Sequence, residues 1–443
     1  MTEPTRREWL GAIAAAGFAP APSRVAAENE KPGTTDWQLT YVKFDAKAKY
    51  RQSLIEGYCT RTSVAAGDAL GFCVSTDPAS AFTIDLYRLG YYQGHGGRHV
   101  ARFGPFDGKP QPTPPVGDKR IRECEWEACH TIIVPKDWPS GVYLGKLSAK
   151  GHRYQSYVTF VVRDDRPADV LFQCSTNTWQ AYNKWPDNHS LYDNDRPDKK
   201  PLVSGVRASF GRPFAKYPQV SDNPLSLGTG EFLLFEFPFA FWLEQHGYDV
   251  TYCANEDVHN SLETVTRCKA FLSVGHDEYW TRKQYDHCME AVKRGVNFGF
   301  FSGNSCCFVT DMRGRAIERV GRYGGIRPGE GPWMADLPEV APNEATLIGA
   351  QTVTPFNGSG DWIVTKPEHW MFAGTGMKKG DAIPGLVGWE FHGDPAAIPG
   401  LEVVAAGKTW TGARRRVITR RRSTPARRGT RCSTPRRSSG RRG

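Results

Sequence analysis

The sequence predicts two folded units in series, an antiparallel all-β sandwich followed by an α/β domain built on a doubly wound, largely parallel sheet. Three observations carry that reading. A chain of 443 residues is too long for one ordinary domain. Between Trp37 and Arg163 a period-two pattern is cut by turn residues at short intervals, with no helical stretch. Beyond Asp169, short apolar runs with strand character alternate with helical ones. A hydrophobic fraction of 39% with 12% aromatics provides for real cores and excludes a disordered chain.

The first residues read as an address. Arg6-Arg7 precede a short apolar run from Gly11 to Phe18, and Val25-Ala26-Ala27 has the small-residue pattern of a cleavage site. The run is too short to span a bilayer, and no transmembrane segment follows. Residues 1–27 are therefore expected to be a twin-arginine export signal, and the protein periplasmic or secreted.

The sandwich is expected over residues 36–163. Phe82, Ile84 and Leu86 alternate along one strand that runs into Tyr87-Arg88-Leu89-Gly90. Trp138-Pro139-Ser140-Gly141 turns the chain into Val142–Leu147, and the β-branched Tyr157–Val162 closes the series. Asp164-Asp165-Arg166-Pro167 is a polar linker. The α/β domain, residues 167–410, opens with the strand Asp169–Cys174. A helix from Phe237 to Gln245 stops at Gly247 and leads to the strand Asp249–Cys253. The third strand is Ala270–Val274. Thr281 then caps a helix whose Tyr285, Cys288, Met289 and Val292 share one face, and Gly295 ends it before the fourth strand, Asn297–Phe301.

The net charge of +10 misleads, because thirteen arginines and no acidic residue fall between Thr411 and Gly443. The rest is close to neutral, which gives a nucleic-acid reading of the folded body no support. Residues 411–443 read either as a polyanion-binding tail or as an out-of-frame end, and on composition they are expected to add nothing to the fold. Eleven cysteines permit disulfides without requiring them. No CxxC or CxxH spacing points to a zinc–thiolate site, and Cys306-Cys307 after an apolar strand are expected to be buried wall.

Open α/β sheets bind ligands beyond the carboxyl ends of their strands. Polar clusters follow three strands: Ser175 to Trp185, Gly275-His276-Asp277-Glu278-Tyr279-Trp280, and Ser302-Gly303-Asn304. Each has a plain alternative, a solvated loop for His276 to Glu278 and a core position for Tyr182. The His-x-Glu spacing lets His276 and Glu278 project together. Asn304 stands at a turn where α/β enzymes often carry a nucleophile; as Asn it can donate to an oxyanion but not attack. Ser305 and Cys306 lie in no Gly-x-Ser/Cys-x-Gly elbow, which argues against a serine or cysteine triad.

These clusters resemble a family. Asn177-Thr178-Trp179-Gln180-Ala181-Tyr182-Asn183 with Ser190-Leu191-Tyr192, Gly275 to Trp280, Gly303-Asn304 and Gly385-Leu386-Val387-Gly388-Trp389-Glu390 are similar, in that order, to the C-terminal domain of the N,N-dimethylformamidase large subunit. Tyr87 to Tyr92 adds a similar signature in the sandwich. The resemblance spans roughly Asp169 to Trp410. It implies a flavodoxin-like domain, of the kind found in class I glutamine amidotransferases, and an amidase holding one iron through two tyrosines and a glutamate. Carried over, Tyr182 and Glu278 are ligands, with the second tyrosine near Arg212-Pro213 and assigned to Tyr217. His276, Asn304 and Glu390 become catalytic or supporting groups, and the substrate a small-molecule amide. The sequence departs from the pattern at Pro186-Asp187-Asn188, where relatives carry a glycine pair, and in lacking the family's closing segment after Trp410. The competing reading is an exported binding protein, for instance for glycans, with an inert crevice. Nothing decides between a monomer and a homo-oligomer.

Overall fold

The computed structural model describes residues 23–42, 50–193, 202–216, 225, 227–325, 336–352, 358–388, 390–411, 416–426 and 429–433. The first unit pairs two sheets. Glu56–Cys59, Ala69–Ser75 and His130–Ile133 form an antiparallel sheet with Ala69–Ser75 in the centre. Ser63–Val64, Gln155–Val162, Gly141–Ala149, Ser80–Leu89 and Gly97–Gly108 form the other, in that spatial order. Leu70, Phe72 and Val74 of the smaller sheet share one core with Ile84, Leu86 and Phe160 of the larger. Residues 157–162 read as a continuous apolar run because the larger sheet is buried on both faces. Val158, Phe160 and Val162 enter the sandwich core, while Tyr157 and Val161 enter a second core shared with the α/β unit.

That unit is built on Ala168–Cys174, Val250–Ala254, Cys268–His276 and Asn297–Gly303, here the first to fourth central strands in chain order. All are parallel, in the spatial order second, first, third, fourth. Between the third and fourth, His276 stands opposite Gly303, so the residues after each strand emerge at one sheet edge. The helix Arg282–Lys293 starts at Thr281, whose hydroxyl accepts the Gln284 N–H, and buries Tyr285, Cys288 and Ala291. With Val258 it packs on Leu171, Phe271 and Phe298 of the sheet. The other sheet face, through Phe172, Tyr252 and Val274, meets the helix Phe237–Gln245 together with Tyr87, Leu144 and Tyr157 of the sandwich. The sandwich thus supplies part of a layer that helices alone were expected to fill.

The alternation of strand and helix lapses after Gly303. Phe308–Arg313 and Ala316–Tyr323 form a hairpin around Gly314, and Val206–Ser209 and Tyr279–Thr281 flank it in a further sheet. The basic segment also departs from expectation. Arg416–Ala426 pairs with Glu402–Thr411 and with Gly429–Ser433, which in turn lies parallel to the fourth central strand. Pairing uses main-chain N–H and C=O groups, which do not require apolar side chains; composition was therefore a poor guide to the backbone here. At the other terminus, residues 1–22 of the expected signal lie outside the described residues. Arg24–Asn29 is a helix capped by Ser23, so Val25-Ala26-Ala27 is helical.

A buried ion pair ties the two units together. Arg88 Nη2 meets Glu244 Oε1 at 2.9 Å, both side chains at 0% exposure. The Ser140 carbonyl accepts from Arg88 Nε and Nη2, while Tyr252 and Asn29 donate to Glu244 at 2.8 and 2.9 Å. A Cβ on residue 90 would lie 2.3 Å from Glu244 Oε2, so Gly90 leaves the room that the carboxylate fills. Burial opposes the charge of Arg88, but Glu244 beside it holds the guanidinium well above its ordinary range. Arg88→Ala should strand the Glu244 charge and cost about 3–5 kcal/mol in urea unfolding, with Arg88→Met/Glu244→Leu recovering most of it; a loss below about 1 kcal/mol, the scale of a surface pair, would contradict the lock.

Candidate active site

The strand ends are stitched to one another by backbone hydrogen bonds. Thr178, on the helix Thr176–Tyr182 after the first central strand, accepts the N–H groups of Glu278 and Tyr279 on its hydroxyl, at 2.9 and 3.2 Å. The N–H groups of Cys306 and Cys307 reach the carbonyls of Asp277 and Glu278 at 3.0 and 2.8 Å. His276 and Glu278 project together, and Asp277 points away. Asp277 accepts from Gln173, Ser273 and Asn255, and therefore belongs to the framework under the sheet edge.

Glu278 is buried. Its Oε2 accepts the Tyr192 hydroxyl at 2.7 Å, and that hydroxyl lies 2.9 Å from the Tyr182 hydroxyl. Asn304 Nδ2 approaches Glu278 Oε1 at a long 3.4 Å, while Asn304 Oδ1 is buried without a hydrogen-bond partner. His276 is held on both sides. Nδ1 meets Glu231 Oε2 at 3.0 Å; Nε2 stands 3.0 Å from Glu390 Oε2 and 3.6 Å from Glu278 Oε2. The Nε2 contacts are ion-pair approaches without hydrogen-bond alignment. Burial opposes a charge on His276, but the carboxylates of Glu231 and Glu390 outweigh it and raise the imidazole well above its ordinary range. Burial also raises Glu278, with His276 offsetting part of the rise. Burial, and then the Glu278 carboxylate, push the Tyr192 phenol well above its usual value. Asn304, Cys306 and Glu390 all have left-handed backbone, with φ of 45°, 57° and 60°. Such residues cost free energy and cluster where function over-determines the chain.

Glu231 is delivered by the sandwich. The Thr159 hydroxyl donates to the Gly228 carbonyl at 3.0 Å, and a Cβ on residue 228 would lie 1.9 Å from the Tyr157 carbonyl oxygen. With φ at 75°, glycine alone fits there. The loop pressed onto that sheet then ends in Glu231 and a single π-turn, Phe232–Glu236.

The structure thus gathers Tyr182, His276, Glu278, Asn304 and Glu390 into one cluster; Tyr217 lies outside the described residues. Sequence reasoning missed Glu231 and Tyr192. Tyr192 was part of a quoted motif but had no task, and Glu231 follows Gly228-Thr229-Gly230, a glycine pattern that signalled close packing. Cys306 and Cys307 are fully buried, with thiols raised well above their ordinary range by burial, and form wall. Among the described residues Ser305 is part of no serine triad: His392 Nε2 accepts the Ser305 N–H, and the Ser305 hydroxyl faces the Ser302 carbonyl. All ten described cysteines are free. Among the described residues no three His, Cys, Asp or Glu side chains are grouped to hold a metal; the donors that converge are two phenols and one carboxylate. A narrow gap of about 10 Å³, room for no more than a water, lies between Trp179, Tyr182, Phe214 and Glu231 beside them. A larger polar cavity lies between Arg163, Asp257 and Arg267, in which Arg163 pairs with Asp257 and Arg267 with Asp165, both at 2.9 Å.

The model of the family described as N,N-dimethylformamidase beta subunit-like, C-terminal, matches residues 83–438. The chain belongs to this family. The match begins within the sandwich strand Ser80–Leu89 and runs into the basic segment, further at both ends than the motifs had indicated. No curated protein matches the chain. Among solved structures, a superoxide reductase (neelaredoxin) from Ignicoccus hospitalis is similar over 26% of this chain and 84% of its own, at 17% identity; its TM-score of 0.17 carries no argument. Among the described residues no helix is long and apolar enough to cross a membrane.

The fully buried Glu344 braces the turn that carries Asn304. Its oxygens accept the N–H groups of Gly325 and Thr352, and the Thr352 hydroxyl lies 3.4 Å from His392 Nδ1. Burial raises Glu344 from its ordinary 4.5 to about 7. Between those values the folded chain keeps a proton that the unfolded chain has lost, so its contribution to stability falls as pH rises through that window. Urea unfolding across the window should show Glu344→Gln with a flatter fall than the unsubstituted chain; identical slopes would contradict the assignment.

Proposed function

We propose that this protein is a metal-dependent hydrolase of an amide or related C–N bond, exported by a twin-arginine signal, with a flavodoxin-like catalytic domain and one iron. The observation that carries the reading is the union of Tyr182 and Glu278 through a single hydroxyl, beside His276 and Asn304. A binding protein with an inert crevice would be favoured by Tyr182 and Glu278 pointing apart. Membership of the N,N-dimethylformamidase-like family supports a hydrolase.

The donors suit a hard, highly charged cation, since phenol and carboxylate oxygens are its preferred ligands. Tyr182 and Glu278 would hold it, with a second tyrosine for which Tyr217 is the sequence-based choice. Bound there, the ion would supply Lewis acidity toward an amide carbonyl and toward water. The remaining work falls to side chains. Trp179 and Phe214 pack beside Tyr182 and give that side of the cluster an apolar wall. Asn304 Nδ2, fixed by a strained turn, donates to the oxyanion that develops from the carbonyl. Glu390, 12% exposed and the most accessible of the carboxylates around His276, takes the proton from the attacking water. His276, kept cationic by its carboxylates, returns a proton to the departing amine.

Metal analysis of purified protein, with a panel of small amides assayed for released amine, tests the reading. Near-stoichiometric iron and amine release are expected. Glu278→Ala should abolish both, whereas Asn304→Ala should keep the metal and lose about 10²–10³ in turnover, the usual loss for one oxyanion donor. Protein that stays metal-free after expression in iron-rich medium would favour the binding-protein reading. Material recovered outside the cytoplasm should begin near Glu28, which keeps the Glu28 and Asn29 contacts to Tyr92 and Glu244; an intact Met1 would refute export by this signal.

A further inference from the structure

We propose that the polar cavity at the seam between the two units is a binding site for a small hydroxylated monocarboxylate, separate from the strand-end cluster. The cavity holds about 560 Å³, inside the range of about 300–1,000 Å³ usual for small-molecule sites. Its wall joins both units. Arg163 follows the last sandwich strand and gives its N–H to the Val64 carbonyl at 2.9 Å, while Ser261, Thr264 and Arg267 come from the α/β unit. Arg267 directly precedes the third central strand, Cys268–His276. The cavity therefore lies at the amino ends of the strands, the edge opposite His276 and Glu278.

The charged groups around it are unevenly satisfied. Asp257 accepts from Arg163 Nε, the Ser63 hydroxyl and the Ala254 N–H at 2.9, 2.7 and 2.8 Å, and is fully occupied. Arg267 is not. Its side chain is only 16% exposed, yet its carboxylate partner, Asp165, stands 82% exposed on the linker. Arg267 Nε is buried with no hydrogen-bond partner among the described residues. A pair with so exposed a carboxylate is weak, whereas a buried donor left unpaired is costly. A guanidinium presents its donors as a planar fork that matches the two oxygens of a carboxylate. A ligand carboxylate takes the fork of Arg267 at Nε and releases Asp165 to solvent, so one negative charge replaces another. Asp257 and the exposed Glu263 at the rim disfavour a dianion. The hydroxyls choose the rest of the ligand. Ser261 Oγ accepts the Glu263 N–H at 3.1 Å and keeps its own proton to donate. The Thr264 hydroxyl donates to the Asp257 carbonyl at 3.2 Å and keeps a lone pair to accept. With these groups and no aromatic ring in the wall, a hydroxyl-bearing acid fits better than an apolar one.

The test titrates glycolate, propionate and inorganic phosphate separately into the full chain, reading binding by ligand-observed NMR and folding by melting temperature. Glycolate should bind in preference to the other two and raise the melting temperature, because it is held only by the folded seam. Arg267→Gln should weaken glycolate binding by at least about 10-fold, the scale of hydrogen bonds to a charged group. Asp165→Asn should tighten it by up to about five-fold, because the linker carboxylate no longer competes. His276→Gln should leave it unchanged, which separates this site from the strand-end cluster. Undiminished glycolate binding in folded Arg267→Gln, weaker binding in Asp165→Asn, or loss with His276→Gln would overturn the assignment. So would a preference for phosphate or propionate, or no binding at millimolar glycolate.

Discussion

Burying the Glu278 carboxylate is the constraint on which the rest of the structure turns. An unpaired charge at that depth costs several kcal/mol, and the chain meets the cost with groups from separate segments. Tyr192 donates from the turn after the first helix, His276 stands on the preceding strand, and Asn304 arrives from the turn after the fourth. Each position is possible only because parallel strands end at one level, with His276 opposite Gly303 and the Thr178 hydroxyl holding the Glu278 amide. The sheet therefore serves chiefly to deliver donors to one carboxylate.

The sandwich shares in that task. Its larger sheet lies against the central sheet, and Tyr157 and Thr159 fix the loop that carries Glu231 to His276. The Arg88–Glu244 pair, with Gly90 leaving the space, keeps the two units in one register. A rotation between the units would move Glu231 relative to His276. The sandwich signature Tyr87 to Tyr92 thus has a physical meaning beyond a shared fold: it preserves the distance on which the imidazole's charge depends.

Much of this was legible before any coordinates. Strand residues such as Phe298 and Phe300, and the capped helix from Thr281, announce themselves because burial and capping impose local patterns. The His-x-Glu spacing gave the shared direction of His276 and Glu278 because side chains alternate along extended backbone. Glu231 was not legible, since its partner is 45 residues away and its position is set by Gly228 touching a different sheet. Tyr192 was visible as a motif but not as a contact, because a hydroxyl's partner depends on the turn closed by Asp193. The hairpin around Gly314 was missed for the converse reason: no apolar alternation marks Phe308–Arg313, whose outer residues are half-exposed or exposed. Composition misled at the basic segment, where it speaks of side-chain burial and not of backbone pairing.

The proposed function places a hard cation where chain segments bring oxygen atoms around Glu278. The most direct measurement is anomalous diffraction at the iron absorption edge, from crystals of the full chain grown with ferric iron. One strong peak is expected within coordination distance of Tyr182 and Glu278, bordered by Asn304 and His276. A peak elsewhere on the protein, or none while those side chains keep their mutual hydrogen bonds, would contradict it.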